Sequence, residues 1–148
     1  MPGTGCSAPR TEPVPVAVAL MHRVAVTLDL VAVLLFVGIG RAVHTHGLSI
    51  GGVASTAWPF VIGLAAGWVV LTLMHRTPAS LGSGALVCGA TVAVGMALRI
   101  VAGQGTAVAF VVVALCFLGA FMGGWRLLAR LLRPNDRCPR SRVRGVRR

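Results

Sequence analysis

Lysine is absent from this chain, and its acids number three: Glu12, Asp29 and Asp136. Charged residues of all kinds make up 11% of the sequence, where a soluble domain carries about a quarter. The deficit accompanies long apolar runs, a hydrophobic fraction of 56% and a mean hydropathy of +0.86. These values exclude an ordinary soluble domain and place the chain among membrane proteins. A length of 148 residues fits one compact unit and leaves no room for a separate soluble catalytic domain.

Cysteine is also scarce. Cys6, Cys88, Cys116 and Cys138 form no C-x-x-C pair, and two of them lie inside apolar runs. Neither a zinc site nor a disulfide framework is indicated, and buried cysteines behave as small hydrophobes. No hydrophobic stretch precedes Cys6 in "GTGCSAP", and Pro, Thr and Glu interrupt the N-terminus where a signal peptide needs its apolar core. No nucleophile–base pair, phosphate-binding glycine loop or metal-binding helix motif is present. His44 and His46 in "HTH" lack a third ligand. The expectation is a non-enzymatic chain with no metal and no cofactor.

Four apolar runs are present, at 24–40, 57–74, 81–98 and 107–125. Each approaches the roughly 20 residues that a membrane-spanning helix needs. Each is followed at once or within two residues by an arginine: Arg41, Arg76, Arg99 and Arg126. The third has the weakest start, diluted by Gly82, Ser83 and Gly84. "RAVHTHGLSIGGVAST" reads as a loop, with Thr56 capping the second helix and Pro59 tolerated in its first turn. "HRTPASLGSG" and "RIVAGQGTA" read as short turns. The expected fold is an all-α membrane protein, a four-transmembrane-helix bundle over residues 16–133. Residues 1–15 and 134–148 read as disordered tails.

The arginines orient it. Four spans put both termini and the second loop on one side. That side carries Arg10, Arg23, Arg76 and the nine arginines from Arg126 onward, against Arg41 and Arg99 opposite. The positive-inside rule then makes both termini cytoplasmic in a multi-pass protein of a bacterial plasma membrane. The net charge of +11 is concentrated in the tail beside a span, with no aromatic platform or folded reader, so nucleic acid is not the expected partner. Arg126, Arg130 and Arg133 follow helical spacing before Pro134. Arg130 and Arg133 are therefore read as basic anchors toward anionic lipid, worth about 1 kcal/mol each.

Asp29 is the residue most in need of explanation. It lies six residues past Arg23, about 9 Å along a helix, and a charge at that depth costs at least about 2 kcal/mol. His22, Ala25, Asp29, Ala32 and Phe36 share one helical stripe, whose alanines permit close helix approach, so Asp29 is expected to face the bundle interior. Arg23, Arg76 and Arg126 are its candidate ion-pair partners on the same side. Two readings stand: an acid that exchanges protons or binds a cationic substrate, or a paired carboxylate that fixes helix register.

The remaining patterns concern packing. G-x-x-x-G recurs at Gly63–Gly67 and Gly119–Gly123, where small residues let helices approach closely. Trp58 and Trp125 sit where an aromatic belt would place them, while Trp68 is deeper. "FVIGLAAGWVVLTLMHR" aligns with "FLGAFMGGWRLLARLLR" through Phe60/Phe117, Gly67/Gly124, Trp68/Trp125, Leu71/Leu128 and Arg76/Arg133. Either the bundle is two tandem helical hairpins, or apolar helices of few residue types look alike by chance.

The ordered run "LDLVAVLLFVGIGR", "WPFVIGLAAGW", "GMALR" and "GWR" resembles an uncharacterised family of small four-span membrane proteins found mainly in actinobacteria. The resemblance covers about residues 22 to 130. It implies the four-span architecture and carries over no site. Two functions are compatible with these residues. One is a small transport or permeability protein that uses Asp29. The other is a non-catalytic structural or accessory subunit, either oligomeric or packed against a larger membrane partner.

Overall fold

A computed structural model describes residues 15–43, 49–105 and 107–132. They form four α-helices, α1 (Pro15–Val43), α2 (Ile50–Leu73), α3 (Leu81–Val101) and α4 (Val108–Leu131), with no strand among the described residues. All four are long and apolar enough to cross a membrane. The chain is an all-α four-helix bundle of the multi-pass membrane class. The segments read as disordered tails, up to residue 14 and from 134, lie outside the described residues, as do His44, His46 and Arg133.

The start of α2 departs from expectation. The cap is Ser49 and not Thr56: Ser49 Oγ accepts from the Gly52 amide at 3.2 Å. Two glycines at 51 and 52 read as loop because each costs a helix about 1 kcal/mol. The serine cap offsets part of that cost, and Arg41 of α1 lies against Gly52, where any Cβ would collide with its guanidinium. Thr56, now inside the helix, donates to the Gly52 carbonyl at 3.0 Å and accepts from Arg41 Nη1 at 3.2 Å. α3 begins at Leu81, where the third apolar run begins, capped by Ser80, and takes in Gly82 to Gly84, which the reading of "HRTPASLGSG" assigns to the turn. Ser80 Oγ accepts from the Ser83 amide at 3.0 Å, and Ser83 Oγ donates to the Thr77 carbonyl at 2.8 Å.

The helices run alternately up and down, and their backbones neighbour one another in the cyclic order α1–α2–α3–α4. The connections α2–α3 and the outer ends of α1 and α4 share one end of the bundle, here the tail end. The connections α1–α2 and α3–α4 share the other, the far end. The closest seam joins α2 to α3. A Cβ on Gly63 would sit 2.6 Å from the Thr91 carbonyl oxygen, and one on Gly67 3.2 Å from Val87 Cα. Across the middle, the Phe36 ring meets Phe60 at 5.8 Å and Phe117 at 5.7 Å between centroids, and Phe60 is seated on Gly95 of α3. Leu28, Val31, Leu34, Leu35, Ile62 and Val69 point outward as the apolar surface a bilayer requires.

Gly119 and Gly123 of α4 differ from Gly63 and Gly67 within the bundle. A Cβ at either meets nothing within 4 Å, so this G-x-x-x-G face makes no close seam within the bundle. The aligned repeat pairs also occupy unlike surroundings: Phe60 and Phe117 both touch Phe36, but Leu71 is fully buried and Leu128 is 56% exposed. Among the described residues α4 seats itself instead on Gly84 of α3, where a Cβ would approach Arg126 Cδ to 2.8 Å. Gly63→Ala should therefore destabilise the purified protein by about 1–3 kcal/mol through overpacking against rigid backbone. Gly123→Ala should be neutral or raise stability by up to about 1 kcal/mol. Thermal unfolding in detergent compares the two, and equal effects would refute the α2–α3 seam.

Candidate functional site: a dry Asp29–Arg126 pair

Asp29 and Arg126 are the two charged side chains among the described residues that the bundle buries completely, both with 0% exposure. Asp29 is held by α1 on the stripe that also carries Ala25, Ala32 and Phe36, all buried. The small alanines on either side let α4 approach closely enough for a side chain near its C-terminal end to reach the carboxylate. Arg126 comes from that end, five residues before Leu131, and its stem lies across Gly84 of α3.

The geometry is a two-pronged ion pair. Arg126 Nη1 donates to Asp29 Oδ1 at 2.9 Å, and Nη2 donates to Oδ2 at 2.8 Å. Trp125 Nε1 donates a further bond to Oδ1 at 3.0 Å. The guanidinium spends its remaining reach on backbone: Nε donates to the Pro78 carbonyl at 2.9 Å and Nη1 to the Met122 carbonyl at 2.7 Å. Its Cζ stands 4.3 Å from the Trp125 ring centroid. Both carboxylate oxygens and all three guanidinium nitrogens are thus occupied, as a charge removed from water requires. One side chain ties α4 to α1, to α3 and to the α2–α3 turn.

The other residues singled out in the sequence lie elsewhere. Arg23 is exposed, and its backbone carbonyl accepts from Thr27 Oγ1 at 2.9 Å. Arg76 is exposed at the α2–α3 turn, and Arg130 is exposed near the end of α4. Neither Arg23 nor Arg76 bonds to Asp29; Arg126 is the candidate that does. Trp125 departs from its reading as a belt residue, because its indole N–H is committed to Asp29. Trp58 is 39% exposed, and Trp68 is buried with its ring 4.8 Å from that of His22. Trp125, Gly84 and the Pro78 carbonyl were missed by sequence reasoning. The adjacency of Trp125 to Arg126 in "GGWR" was a usable signal for the first; the other two come from a neighbouring helix and a turn and leave no local trace.

A second polar group lies at the far end. Arg99 Nη1 donates to Gln104 Oε1 at 3.1 Å, and Gln104 Nε2 donates to the Ser55 carbonyl at 3.1 Å. That carbonyl is the one Pro59 leaves without its usual helical donor, so the α3–α4 turn completes a bond that α2 lacks. Gly103 (φ 68°) supplies the left-handed residue that ends α3, with the Gln104 amide donating to the Arg99 carbonyl at 2.9 Å. Arg41, Ser55, Thr56, Arg99 and Gln104 line a cavity of about 820 Å³ together with apolar residues of α1 and α4. Asp29 is not among its walls.

With this architecture in view, comparison with known proteins places the chain in a family. Residues 26–129 match the DUF3054 family, described as proteins of unknown function, and the chain belongs to it. No curated protein and no solved structure is similar enough to match. The matched segment runs from one turn before Asp29 to just past Arg126, so it spans both members of the ion pair.

Breaking a buried pair from one side leaves the other charge uncompensated and costs about 3–5 kcal/mol, whereas replacing both by apolar residues is often neutral. Asp29→Asn and Arg126→Gln should each lower stability by about that amount, while the double variant Asp29→Leu/Arg126→Met should regain most of it. A double-mutant cycle by chemical denaturation in detergent measures the coupling. Additive losses would refute the pair as a unit.

Proposed function

We propose that this DUF3054 protein is a non-catalytic integral protein of the bacterial plasma membrane, both termini cytoplasmic, acting as a structural or accessory subunit. The observation that carries the reading is the dryness of Asp29: its side chain has no solvent exposure, both its oxygens are bonded to protein donors, and it does not line the far-end cavity. A carboxylate that carries protons or binds a transported cation needs a path to water and a proton-accepting lone pair free to cycle. Here the carboxylate serves as the anchor for Arg126, and removing its charge would release a guanidinium into the bundle.

The accessory arm draws on α4. Its Gly119 and Gly123 leave open space on the outward side, the small-residue surface that a neighbouring helix packs against. Cys116 is exposed one turn earlier on the same stripe. The neighbour is a second copy of this chain or a helix of a larger membrane partner. Arg130, exposed at the tail end of α4, fits an anchor at an anionic lipid surface.

Two measurements test this reading. Protein reconstituted into vesicles containing a pH-sensitive dye, with a potassium-diffusion potential imposed, should take up protons no faster than empty vesicles. Asp29→Leu/Arg126→Met vesicles should behave identically. Proton flux in the natural protein that vanishes in a folded double variant would replace the accessory reading with transport. For orientation, a periplasm-active phosphatase fused in the α1–α2 connection should be active and one fused at residue 148 inactive. The reverse pattern would invert the topology.

A further inference from the structure

The far-end cavity has a chemistry that the ion pair does not explain. Two arginines, Arg41 of α1 and Arg99 of α3, contribute to its walls. None of its described wall residues is acidic, and Asp29, the one carboxylate among the described residues, is bonded to Arg126 at the tail end. Arg99 Nε is buried and has no hydrogen-bond acceptor among the described residues. The guanidinium stands 4.9 Å from the Phe110 ring centroid, which holds its plane without neutralising it. Guanidinium groups match phosphate and carboxylate oxygens in pairs and are less strongly hydrated than ammonium, so they suit an anion at a partly dry site.

The two arginines are positioned by the fold. Arg41 rests on Gly52 and bonds to Thr56; Arg99 bonds to Gln104, which bonds in turn to the Ser55 carbonyl. Ser55 and Thr56 are consecutive on α2, so a short stretch of one helix fixes both cations on the wall of one cavity. Below this polar rim the walls are Phe36, Val37, Phe110 and Val113. Val113 and Ala109 are also exposed on the outer surface of α4, so the apolar part of the cavity is continuous with the face that meets lipid chains. A volume of about 820 Å³ lies within the usual range for small-molecule sites.

We infer that this cavity binds an anionic amphiphile, its phosphate or carboxylate head between Arg41 and Arg99 and its chain over Phe36, Phe110 and Val113. The inference concerns the end of the bundle opposite the ion pair and does not depend on the accessory reading. A phospholipid of the surrounding leaflet and a free amphiphile from the adjacent aqueous phase share this chemistry, and separate probes distinguish them.

The test uses the full-length protein in non-ionic detergent, with bound molecules counted by native mass spectrometry. The probes are phosphatidylglycerol, phosphatidylcholine with the same chains, decyl phosphate and inorganic phosphate. Phosphatidylglycerol or decyl phosphate should be retained about tenfold more strongly than phosphatidylcholine and inorganic phosphate. Preference for the first assigns the ligand to the bilayer and for the second to the aqueous phase. Arg41→Gln/Arg99→Gln should abolish that preference, while Arg76→Gln, at the exposed α2–α3 turn of the other end, should leave it intact. Because the double variant alters two structural bonds, Val113→Trp provides an independent arm: it fills the apolar part from an exposed position and should also expel the ligand. Equal retention of phosphatidylcholine, inorganic phosphate bound as tightly as the amphiphiles, or retention unchanged in both variants would overturn the proposal.

Discussion

A carboxylate and a guanidinium, both fully removed from solvent, organise one end of this bundle. A charge in an apolar bundle is tolerated only when its partner is in place and its remaining polar atoms are bonded. Arg126 meets that condition by reaching Asp29 on α1, the Pro78 carbonyl of the α2–α3 turn and the Met122 carbonyl of its own helix. Three elements must therefore be correctly placed before the charge is satisfied. The consequence is register: a shift of α4 by one residue would swing Arg126 off the Asp29 stripe and leave two buried charges apart. Apolar helix surfaces in lipid discriminate poorly between registers, because lipid chains and leucines are alike in polarity. A buried pair with defined geometry discriminates strongly.

The two ends of the bundle use arginine differently. At the tail end a matched acid neutralises Arg126 and the site is dry. At the far end Arg41 bonds to the Thr56 hydroxyl, and Arg99 bonds to the side-chain and backbone carbonyl oxygens of Gln104. Pro59 contributes to that second arrangement indirectly. By withholding a backbone donor it frees the Ser55 carbonyl, and the α3–α4 turn docks onto α2 through Gln104. A residue that reads locally as a tolerated imperfection in a helix is what lets the α3–α4 turn bond to α2. The contrast separates a pair that holds the fold together from two arginines that line a cavity.

Glycine illustrates how context assigns roles that spacing cannot. A methyl group at Gly63 would collide with the α3 backbone and one at Gly67 would press against it, while Gly119 and Gly123, with the same spacing, face open space. Gly84 and Gly95, which belong to no G-x-x-x-G pair read from the sequence, provide the beds for Arg126 and Phe60. The motif is a statement about which residues permit approach. Whether a helix does approach depends on which side of the bundle the stripe faces.

Hydropathy and arginine punctuation alone were enough to determine four spans, because a bilayer demands about 20 apolar residues per crossing and expels charge to the ends. The stripe His22–Ala25–Asp29–Ala32–Phe36 was equally legible, since helical periodicity is local and a lone acid must turn inward. Helix boundaries were less so: Ser49 and the glycines after it carry both a cap signal and a loop signal, and Arg41 lying against Gly52 tips the balance from another helix. The choice of Arg126 over Arg23 and Arg76 belonged to the tertiary structure, as did the recruitment of Trp125 and the pairing of Arg41 with Arg99 around one cavity. Each of these joins residues far apart in the chain, and the distance between them is set by how the helices pack. Spacing within a helix follows from its pitch; spacing between helices exists only once the bundle has closed.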